Sequence, residues 1–379
     1  MTTTLPVGER MLRAGVGLSA GTIQWGRRPE SPAPVGLTMR DLRLLALLHD
    51  TNYLSASQLT LLGWGSAERA AQERLKRLHD TGYLDRFRPL AARGTHEWNY
   101  RLTQPGWEAL IAHEMAADAR HYTPAEITSI AYAEHDLQLA AIVLLIATAA
   151  ATPGPGGLLD RMPLDWAGHR SGRIEPDTPE QPERSAAASL PDGARLHPGR
   201  SRPGYLEPDA TLTGRVGDER FAVLVEYDRT DRPHKQVDRL RRYDHFLLDG
   251  WRHTHFATHA TPPSVLFLTA REQPLARLIQ TADQTFTGWH GAQHSTAREG
   301  THPARQRTVF TSRERILQGD WTMQRTPSLP PDLRDPASGG ACVPRPIDYN
   351  LPALFARPST TDRPADRGAR TKTTRPRAA

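Results

Sequence analysis

The sequence predicts an α/β protein, α+β overall, in which a small N-terminal helical domain precedes a larger mixed-sheet domain. Three observations lead to this fold class. Short segments with apolar residues at helical spacing follow one another over residues 37–117. Valine-rich runs flanked by amphipathic segments follow over residues 206–290, as in sheets covered by helices. A chain of 379 residues with 38% hydrophobic content is long enough to give each domain a core.

The N-terminal domain is expected at residues 37–120, after a leader at residues 1–36. We expect the leader to be flexible, because GRRPESPAPVG interrupts any periodicity there. Order begins where Thr38 can cap a first helix that ends near His49. The apolar positions of this helix fall on one face, which predicts that it packs against its neighbours.

Two more short helices follow the first. The second starts at Ser57, with Ser55 as an alternative cap, and ends at Leu62. The third starts at Ser66 and ends at Gly82, a residue type that favours the left-handed backbone after a helix. Three short helices in this order predict a helix-turn-helix core.

The segment after the third helix indicates which type of helix-turn-helix domain this is. YLDRFRPL, AARGTHE and WNYRLT predict a strand, a glycine-containing loop and a strand, which is the pattern of a wing. QPGWEALIAHEM then supplies a closing helix, so the domain is predicted to be a winged helix-turn-helix. In that fold the third helix enters the DNA major groove and basic wing residues meet phosphates. The expected DNA contacts are Arg69, Gln72, Glu73, Lys76 and Arg77 on the helix, and Arg86, Arg88 and Arg93 on the wing.

The charge of this surface supports nucleic-acid binding only modestly. Residues 66–93 carry seven Arg or Lys against four Asp or Glu. The alternative interpretation is a winged helix with a solvated charged face that binds another protein.

The second domain is expected at residues 121–322. It opens with a long helix capped by Thr123, followed by a loop-rich insert at residues 151–205 with at most one short strand, near RMPLDW. Two strands, DATLTG and FAVLVEYD, a helix at RPHKQVDRLRRYDHFLLDG, a strand at PSVLFLTA and a helix at EQPLARLIQTAD complete the order α-β-β-β-α-β-α. This order predicts a mixed sheet with helices, to which TVFTSRERIL adds a last edge strand.

Composition sets the remaining expectations. Residues 323–379 are expected to form a disordered basic tail, because the last 23 residues carry seven Arg or Lys and two Asp but few apolar side chains. The single cysteine, Cys342, excludes an intramolecular disulfide and, with no signal peptide, indicates the cytoplasm. The longest apolar run, at 139–151, is too short for a membrane-spanning helix, so no membrane partner is expected. The bias toward Arg, Ala, Pro and Gly suggests a GC-rich bacterial genome.

Two carboxylates on neighbouring strands form the candidate catalytic and metal site. Pro208 and Asp209 stand at the start of the first strand, and Glu226 stands at the end of the second. This order resembles the PD-(D/E)xK nucleases and their restriction-endonuclease-like fold. In those enzymes the acids bind Mg²⁺ or Mn²⁺ and a lysine on the Glu strand orients the attacking water. Here Asp228 stands at the lysine position.

Other residues are expected to complete the set. Lys235, on the following helix, is the one lysine of this domain, and an acid on the preceding helix often contributes, with Glu134 the candidate. The candidate catalytic residues are therefore Asp209, Glu226, Asp228 and Lys235, and the candidate metal ligands are Asp209, Glu226 and Glu134. Asp228 can instead join a salt-bridge network without chemistry. Glu207 and a histidine cluster at His253, His255 and His259 are weaker candidates.

After the predicted winged helix, the chain has a helix with EHDL, followed by PDA, VEYDR and RLRRYDHF. This order of motifs resembles the actinobacterial replication-relaxation family over about residues 37–320. In that family the strand ends in Glu-x-Asp, so Asp228 is normal for it. The resemblance implies a DNA-binding protein for replication, relaxation or mobilisation of a plasmid or other mobile element. Double-stranded DNA is the expected partner, with replication or transfer proteins and a second copy of the chain, as a homodimer, as further candidates. A metal-dependent endonuclease and a winged-helix transcriptional regulator are the alternatives.

Overall fold

The computed structural model describes most of the chain between the two termini. The residues described are 7–12, 14, 23–89, 96–116, 130–168, 171–175, 206–216, 219–229, 233–259, 261–286, 302–329, 331, 334 and 342–356. The chain combines α-helices with a mixed β-sheet, which confirms the predicted α/β fold class.

Within these residues the structure has eleven α-helices and eleven strands. The helices are α1 Val7–Leu12, α2 Met39–Thr51, α3 Ala56–Trp64, α4 Glu68–Asp80, α5 Gln104–Ala112, α6 Ile130–Ala150, α7 Pro233–Leu248, α8 Gln273–Thr285, α9 Pro303–Arg307, α10 Arg313–Leu317 and α11 Leu351–Phe355. The strands are β1 Ile23–Trp25, β2 Leu54–Ser55, β3 Leu84–Pro89, β4 Asn99–Leu102, β5 Asp165–Gly168, β6 Ala210–Val216, β7 Glu219–Asp228, β8 Ser264–Thr269, β9 Thr308–Ser312, β10 Thr322–Arg325 and β11 Arg345–Asp348.

Helices α2, α3 and α4 precede a β3–β4 hairpin, in the predicted order. Thr38 caps α2 in a capping box with Asp41, and Ser55, the alternative cap, caps α3 in a box with Gln58. Helix α4 has no side-chain cap and begins two residues after Ser66. Gly82 follows it with φ 88°, a conformation that costs glycine little and other residues more.

A seven-stranded mixed sheet forms the second part, in the order β11-β10-β9-β8-β7-β6-β5. Strands β7, β8 and β9 are parallel. Strands β6 and β10 pair antiparallel with β7 and β9, and the edge strands β5 and β11 pair antiparallel with β6 and β10. Helices α7 and α8 make the crossovers between the parallel strands and cover one face. Helix α6 covers the other face, giving three layers.

One hydrophobic core joins the N-terminal helices to the sheet. Leu44 and Leu62 of the N-terminal helices belong to the same buried cluster as Ile142 of α6 and Leu212 of β6. A second cluster, with Leu224 and the residues of α7 and α8, fills the opposite side of the sheet. The two predicted domains are thus packed as one body across α6.

Helix α6 also explains the long apolar run. Within the described part of the chain, Tyr132–Ala150 is the one stretch long and apolar enough to cross a membrane, and 72% of it is buried inside the fold. Its apolar residues pack on the sheet and on the N-terminal helices. The predicted cap of this helix, Thr123, lies outside the described residues.

Three expectations, about which segments are structured and which strand forms the edge of the sheet, need correction. The leader is not wholly without structure, because Met11 of α1 is buried and β1 pairs with β3. Strand β9 is internal to the sheet and does not form its edge, because β10 and β11 extend the sheet beyond it. The segment after residue 323 was expected to be disordered, yet β11 pairs with β10 and α11 buries Leu351 and Phe355 against α6 and β6. Residues 357–379 lie outside the described part.

Candidate functional site

Asp209 and Glu226 lie side by side at one end of the central strands. Ala210 of β6 pairs with Val225 of β7, and extending this register by one residue sets Asp209 opposite Glu226. The backbone N–H of Tyr227 donates to Asp209 Oδ2 at 2.7 Å, which fixes the aspartate against β7. Sequence reasoning therefore identified a true cross-strand pair of carboxylates.

Glu226 is buried between β7 and α7 and has a partner on each oxygen. The Tyr243 hydroxyl donates to Oε1 at 2.6 Å, and Arg239 Nη1 lies 2.7 Å from Oε2. Arg239 and Tyr243 are four residues apart, so both project from the same face of α7. That spacing of four residues is the signal in the sequence for these two partners of Glu226.

Asp209 has a cation of its own, His135 of α6. The Nε2 atom of His135 lies 3.6 Å from Asp209 Oδ2 and 3.1 Å from the carbonyl oxygen of Tyr227. Its Nδ1 atom lies 3.0 Å from Asp136 Oδ1. Because both ring nitrogens face acceptors, the arrangement favours the doubly protonated imidazolium form of His135.

The pKa values follow from these contacts. Burial by itself lowers the pKa of His135, but the hydrogen bonds and charges of Asp136 and Asp209 outweigh it and raise the pKa to about 10. Burial acts to raise the pKa of Asp209, yet His135, Arg239 and the Tyr227 N–H bring it below the usual value. Burial and the charge of Asp209 raise the pKa of Glu226 to about 8, against the opposing effect of Arg239 and Tyr243. The two carboxylates thus share a site in which one readily holds a proton.

Glu134 does not join this pair, which corrects the predicted ligand set. It forms an ion pair with Arg229 and accepts a hydrogen bond from Gln138 at 3.1 Å. Gln138 in turn accepts from the Tyr227 hydroxyl at 2.6 Å. Because Tyr227 and Glu226 are successive strand residues, their side chains lie on opposite faces of the sheet, and Glu134 lies on the face of Tyr227.

Three other predicted site residues, Asp228, Glu207 and His253, have hydrogen-bond or ion-pair partners away from the carboxylate pair. Asp228 shares the face of Glu226 but accepts a hydrogen bond from Gln236. Lys235 belongs to α7, and its side chain lies outside what the structure describes. Glu207 Oε1 lies 3.9 Å from Arg173 Nη1, and His253 Nε2 lies 3.3 Å from Asp249 Oδ2, so both residues have partners outside the carboxylate pair.

The carboxylate pair, as arranged, does not fit a divalent metal ion. Each carboxylate already faces a cation, His135 for Asp209 and Arg239 for Glu226, where a metal would require open oxygen ligands. Among the described residues, no group of three or more His, Cys, Asp or Glu side chains is placed to hold a metal ion. The arrangement is a charge-compensated cluster that ties β6, β7, α6 and α7 together.

This cluster is connected to the N-terminal helices. Asn52, the residue that ends α2 with φ 62°, donates from Nδ2 to Asp136 Oδ2 at 3.1 Å. Gln58 of α3 donates to the backbone carbonyl of Leu137 at 2.8 Å. A continuous path of contacts therefore runs from α2 through Asp136 and His135 to the carboxylate pair.

The outer face of α4 is the second candidate site. Buried Ala71, Leu75 and Leu78 anchor the helix and leave its opposite face in solvent. That face carries five polar residues, which are the predicted ones: Arg69, Gln72, Glu73, Lys76 and Arg77. Pairs within the helix hold several of them, among them Arg69 with Glu73 at 3.1 Å and Lys76 with Asp80.

The hairpin beside α4 carries stacked arginines. Arg86 and Arg88 of β3 lie over the ring of Trp98, at 4.5 and 4.4 Å from its centroid. Arg88 also donates to Gln24 at 2.9 Å. Arg93 lies in the segment 90–95, outside the described residues.

The fold and these two sites define a mixed α/β protein in which a helix-and-hairpin module is joined to a layered sheet with paired carboxylates. The sequence model of the replication-relaxation family matches residues 45–259, more than half of the chain. The chain belongs to the replication-relaxation family.

Comparison with other proteins adds a weak likeness in structure. The restriction endonuclease FokI bound to DNA shares 14% identity at a TM-score of 0.20, covering 76% of this chain and 46% of that chain. FokI alone shares 13% identity at a TM-score of 0.21, covering 66% and 42%. The chain spans less than half of either solved chain, and likenesses this weak carry no conclusion about activity. No curated protein matches the sequence.

Proposed function

We propose that this protein is a cytoplasmic DNA-binding protein that acts in replication, relaxation or mobilisation of a plasmid or other mobile element. The observation that carries the proposal is the solvent-exposed polar face of α4, on a helix held from behind by its buried leucines. The helix order and the β3–β4 hairpin support a winged helix, in which this helix is the one that enters the major groove. Membership of the replication-relaxation family supports the biological setting.

The size of α4 agrees with that role. A helix of 13 residues is about 20 Å long, and the major groove, roughly 12 Å wide, admits one helix. Arg69, Lys76 and Arg77 would contact phosphates or base edges, and Gln72 has the amide that pairs with adenine. On this proposal Arg86 and Arg88 contact the phosphate backbone beside the groove, and replication or transfer proteins or a second copy of the chain are further partners.

Duplex binding by a paired set of variants tests the proposal. Removing two cations from α4, with Arg69→Ala and Lys76→Ala together, should weaken binding to a labelled duplex. It should also reduce the slope of log affinity against log salt by about 2, because each lost phosphate contact contributes ~0.9. The matched control, Arg241→Ala with Arg242→Ala, removes two exposed cations from α7. Equal slopes for the two double variants in fluorescence anisotropy would reject α4 as the anchor.

In this proposal the carboxylate cluster fixes the position of the N-terminal helices α2, α3 and α4 relative to the sheet. Asp136 and His135 connect Asn52 of α2 to Asp209, so the cluster fixes α6 relative to both the sheet and the N-terminal helices. Ion pairs and hydrogen bonds between these elements favour one packing arrangement, which suits an element that must present a helix at a fixed angle.

A metal-dependent endonuclease is the second candidate, favoured by the cross-strand placement of Asp209 and Glu226 alone. Because His135 and Arg239 already compensate these carboxylates, we expect no cleavage. The measurement is nicking of supercoiled plasmid with Mg²⁺ or Mn²⁺, comparing the parent protein with Glu226→Gln. Nicking by the parent that disappears in Glu226→Gln would establish the enzyme and overturn the scaffold role.

A further inference from the structure

A cavity of about 540 Å³ opens at the end of the sheet opposite to the carboxylate pair. The first residues of β7 and β8 form its floor, and α9, β10 and the segment around α11 form its walls. Glu219 and Glu226 are seven residues apart on β7, about 23 Å at ~3.3 Å per residue. The cavity is therefore separate from the cluster described above.

Three arginines surround this cavity. Arg220 belongs to β7, Arg307 ends α9 and Arg325 ends β10. Glu219 is the one acidic residue among the lining residues. Among the described residues, no carboxylate lies within ion-pair distance of the three arginines. The lining thus carries three positive charges against one negative charge.

Arg325 is the most constrained of the three. Its Nε atom is buried and has no hydrogen-bond partner among the described residues. A buried donor without a partner is unfavourable, and a bound acceptor would supply the missing hydrogen bond. Burial lowers the pKa of Arg325, and the nearby charges of Arg307 and Arg345 act in the same direction, opposed by Tyr349. An anion placed among these guanidinium groups would relieve their repulsion.

The remaining walls indicate what else the ligand carries. Phe221 and Tyr349 supply aromatic surface beside the arginines, and Ser264 and Thr261 add hydroxyl groups. A phosphate alone would fill little of the cavity and would not contact the rings of Phe221 and Tyr349. Cavities of roughly 300–1,000 Å³ hold ligands of small-molecule size, and bases stack readily on aromatic side chains.

We propose that this cavity binds a nucleoside phosphate, its phosphate held by Arg307 and Arg325 and its base placed against Tyr349 and Phe221. Guanidinium groups suit phosphate because their N–H donors match its oxygens in pairs. The ligand is either a free nucleotide or a nucleotide unit of single-stranded DNA, since both present the same groups. This site does not depend on α4 as the duplex-binding element.

Calorimetric titration of the full chain with dATP, with a short single-stranded oligodeoxynucleotide and with inorganic phosphate tests this assignment. We expect saturable binding of dATP or of the oligonucleotide, and weaker binding of inorganic phosphate. Arg307→Gln and Arg325→Gln should each weaken the binding by about tenfold or more, because each removes a charge-assisted hydrogen bond. Arg242→Gln, an exposed arginine of α7, is the matched control and should bind as the parent does.

The outcomes separate the two ligand sources and the two sites. Binding of dATP identifies a free nucleotide, and binding of the oligonucleotide alone identifies single-stranded DNA. The Arg69→Ala with Lys76→Ala variant should retain this binding, so that failure at α4 is not failure here. Absence of binding to both ligands, equal affinity for inorganic phosphate, or unchanged affinity in both cavity variants would overturn the assignment. Melting temperatures of the two variants close to the parent's confirm that they are folded.

Discussion

At the scale of single residues, the carboxylate pair shows how burial and nearby charge together set protonation. Glu226 is almost fully buried and stands opposite another carboxylate, so ionising both is costly even with Arg239 at 2.7 Å. Asp209 has the more favourable surroundings, because His135 and a backbone N–H both stabilise its negative charge. The pair therefore divides into one acid that stays ionised and one that holds a proton.

This division predicts how stability depends on pH. The pKa of Glu226 is about 8 in the fold and ordinarily 4.5, so its stabilising contribution is complete below 4.5 and is lost as pH rises through 8. His135 acts in the same direction between its ordinary 6.5 and about 10. Asp209, with a lowered pKa, contributes above its ordinary 3.8 and loses that contribution as pH falls further. The fold should be most stable in mildly acidic solution and weaken toward alkaline pH.

Glu226→Gln isolates the contribution of the glutamate. The amide cannot ionise, so the loss of stability between pH 4.5 and 8 should become smaller, by an amount on the order of a few kcal/mol at most. The measurement is urea unfolding across that pH range. Asp238→Asn, an exposed carboxylate of α7, is the matched control and should follow the parent. Parallel curves for the parent and Glu226→Gln would contradict the assignment of the proton to Glu226.

At the scale of helices and strands, close backbone contacts join the segment after α6 to the N-terminal helices. A Cβ added at Gly157 would lie 2.2 Å from the carbonyl oxygen of Leu62 at the end of α3. A Cβ added at Gly168 of β5 would lie 2.3 Å from the carbonyl oxygen of Asp50 in α2. The start of the predicted loop-rich insert is thus a packed element, and only glycine leaves room for such an approach.

Gly157→Ala tests this contact. Backbone cannot give way as a flexible side chain can, so the added methyl group should destabilise the protein by about 1–3 kcal/mol. Gly154→Ala is the matched control in the same segment, because its Cβ would meet only Arg161 Cδ, at 3.9 Å. Thermal unfolding of both variants gives the comparison. Equal melting temperatures would show that α3 and residues 154–157 are not in the contact described.

What could be predicted from the sequence was local in origin. The caps Thr38 and Ser55 and the cross-strand pair of Asp209 with Glu226 follow from spacing and strand order. The face on which Glu134 lies could not be predicted, because it depends on the rotation of α6 about its axis. His135, one residue later and ~100° around the helix, is the one that reaches the carboxylates.

The short strands β1, β10 and β11 were missed for a related reason. Each has only three or four residues, and β11 contains a proline and charged residues that are typical of loops and edges. Their order comes from partners distant in the chain, such as β3 for β1. The residues of such a short strand do not indicate which distant segment it pairs with.

At the scale of the whole molecule, the last described segment closes the fold. Leu351 and Phe355 of α11 are buried in the same cluster as the N-terminal helices, and the Phe355 ring lies 5.0 Å from that of Phe221. Strand β11 covers the edge of the sheet beside β10. A segment expected to be a tail therefore contributes both to the core and to a wall of the arginine-lined cavity.

Two truncations separate the contribution of β11 and α11 from that of the residues after 356. Ending the chain at residue 341 removes β11 and α11, and exposes the surface that Leu351 and Phe355 bury. At about 1.5–3 kcal/mol for each buried apolar side chain, the loss should amount to several kcal/mol and lower the melting temperature markedly. Ending the chain at residue 356 removes the basic segment alone and should leave the melting temperature unchanged, while any phosphate contacts of its arginines would appear as a smaller salt slope in duplex binding. Equal melting temperatures for the two truncated proteins would show that α11 does not stabilise the fold.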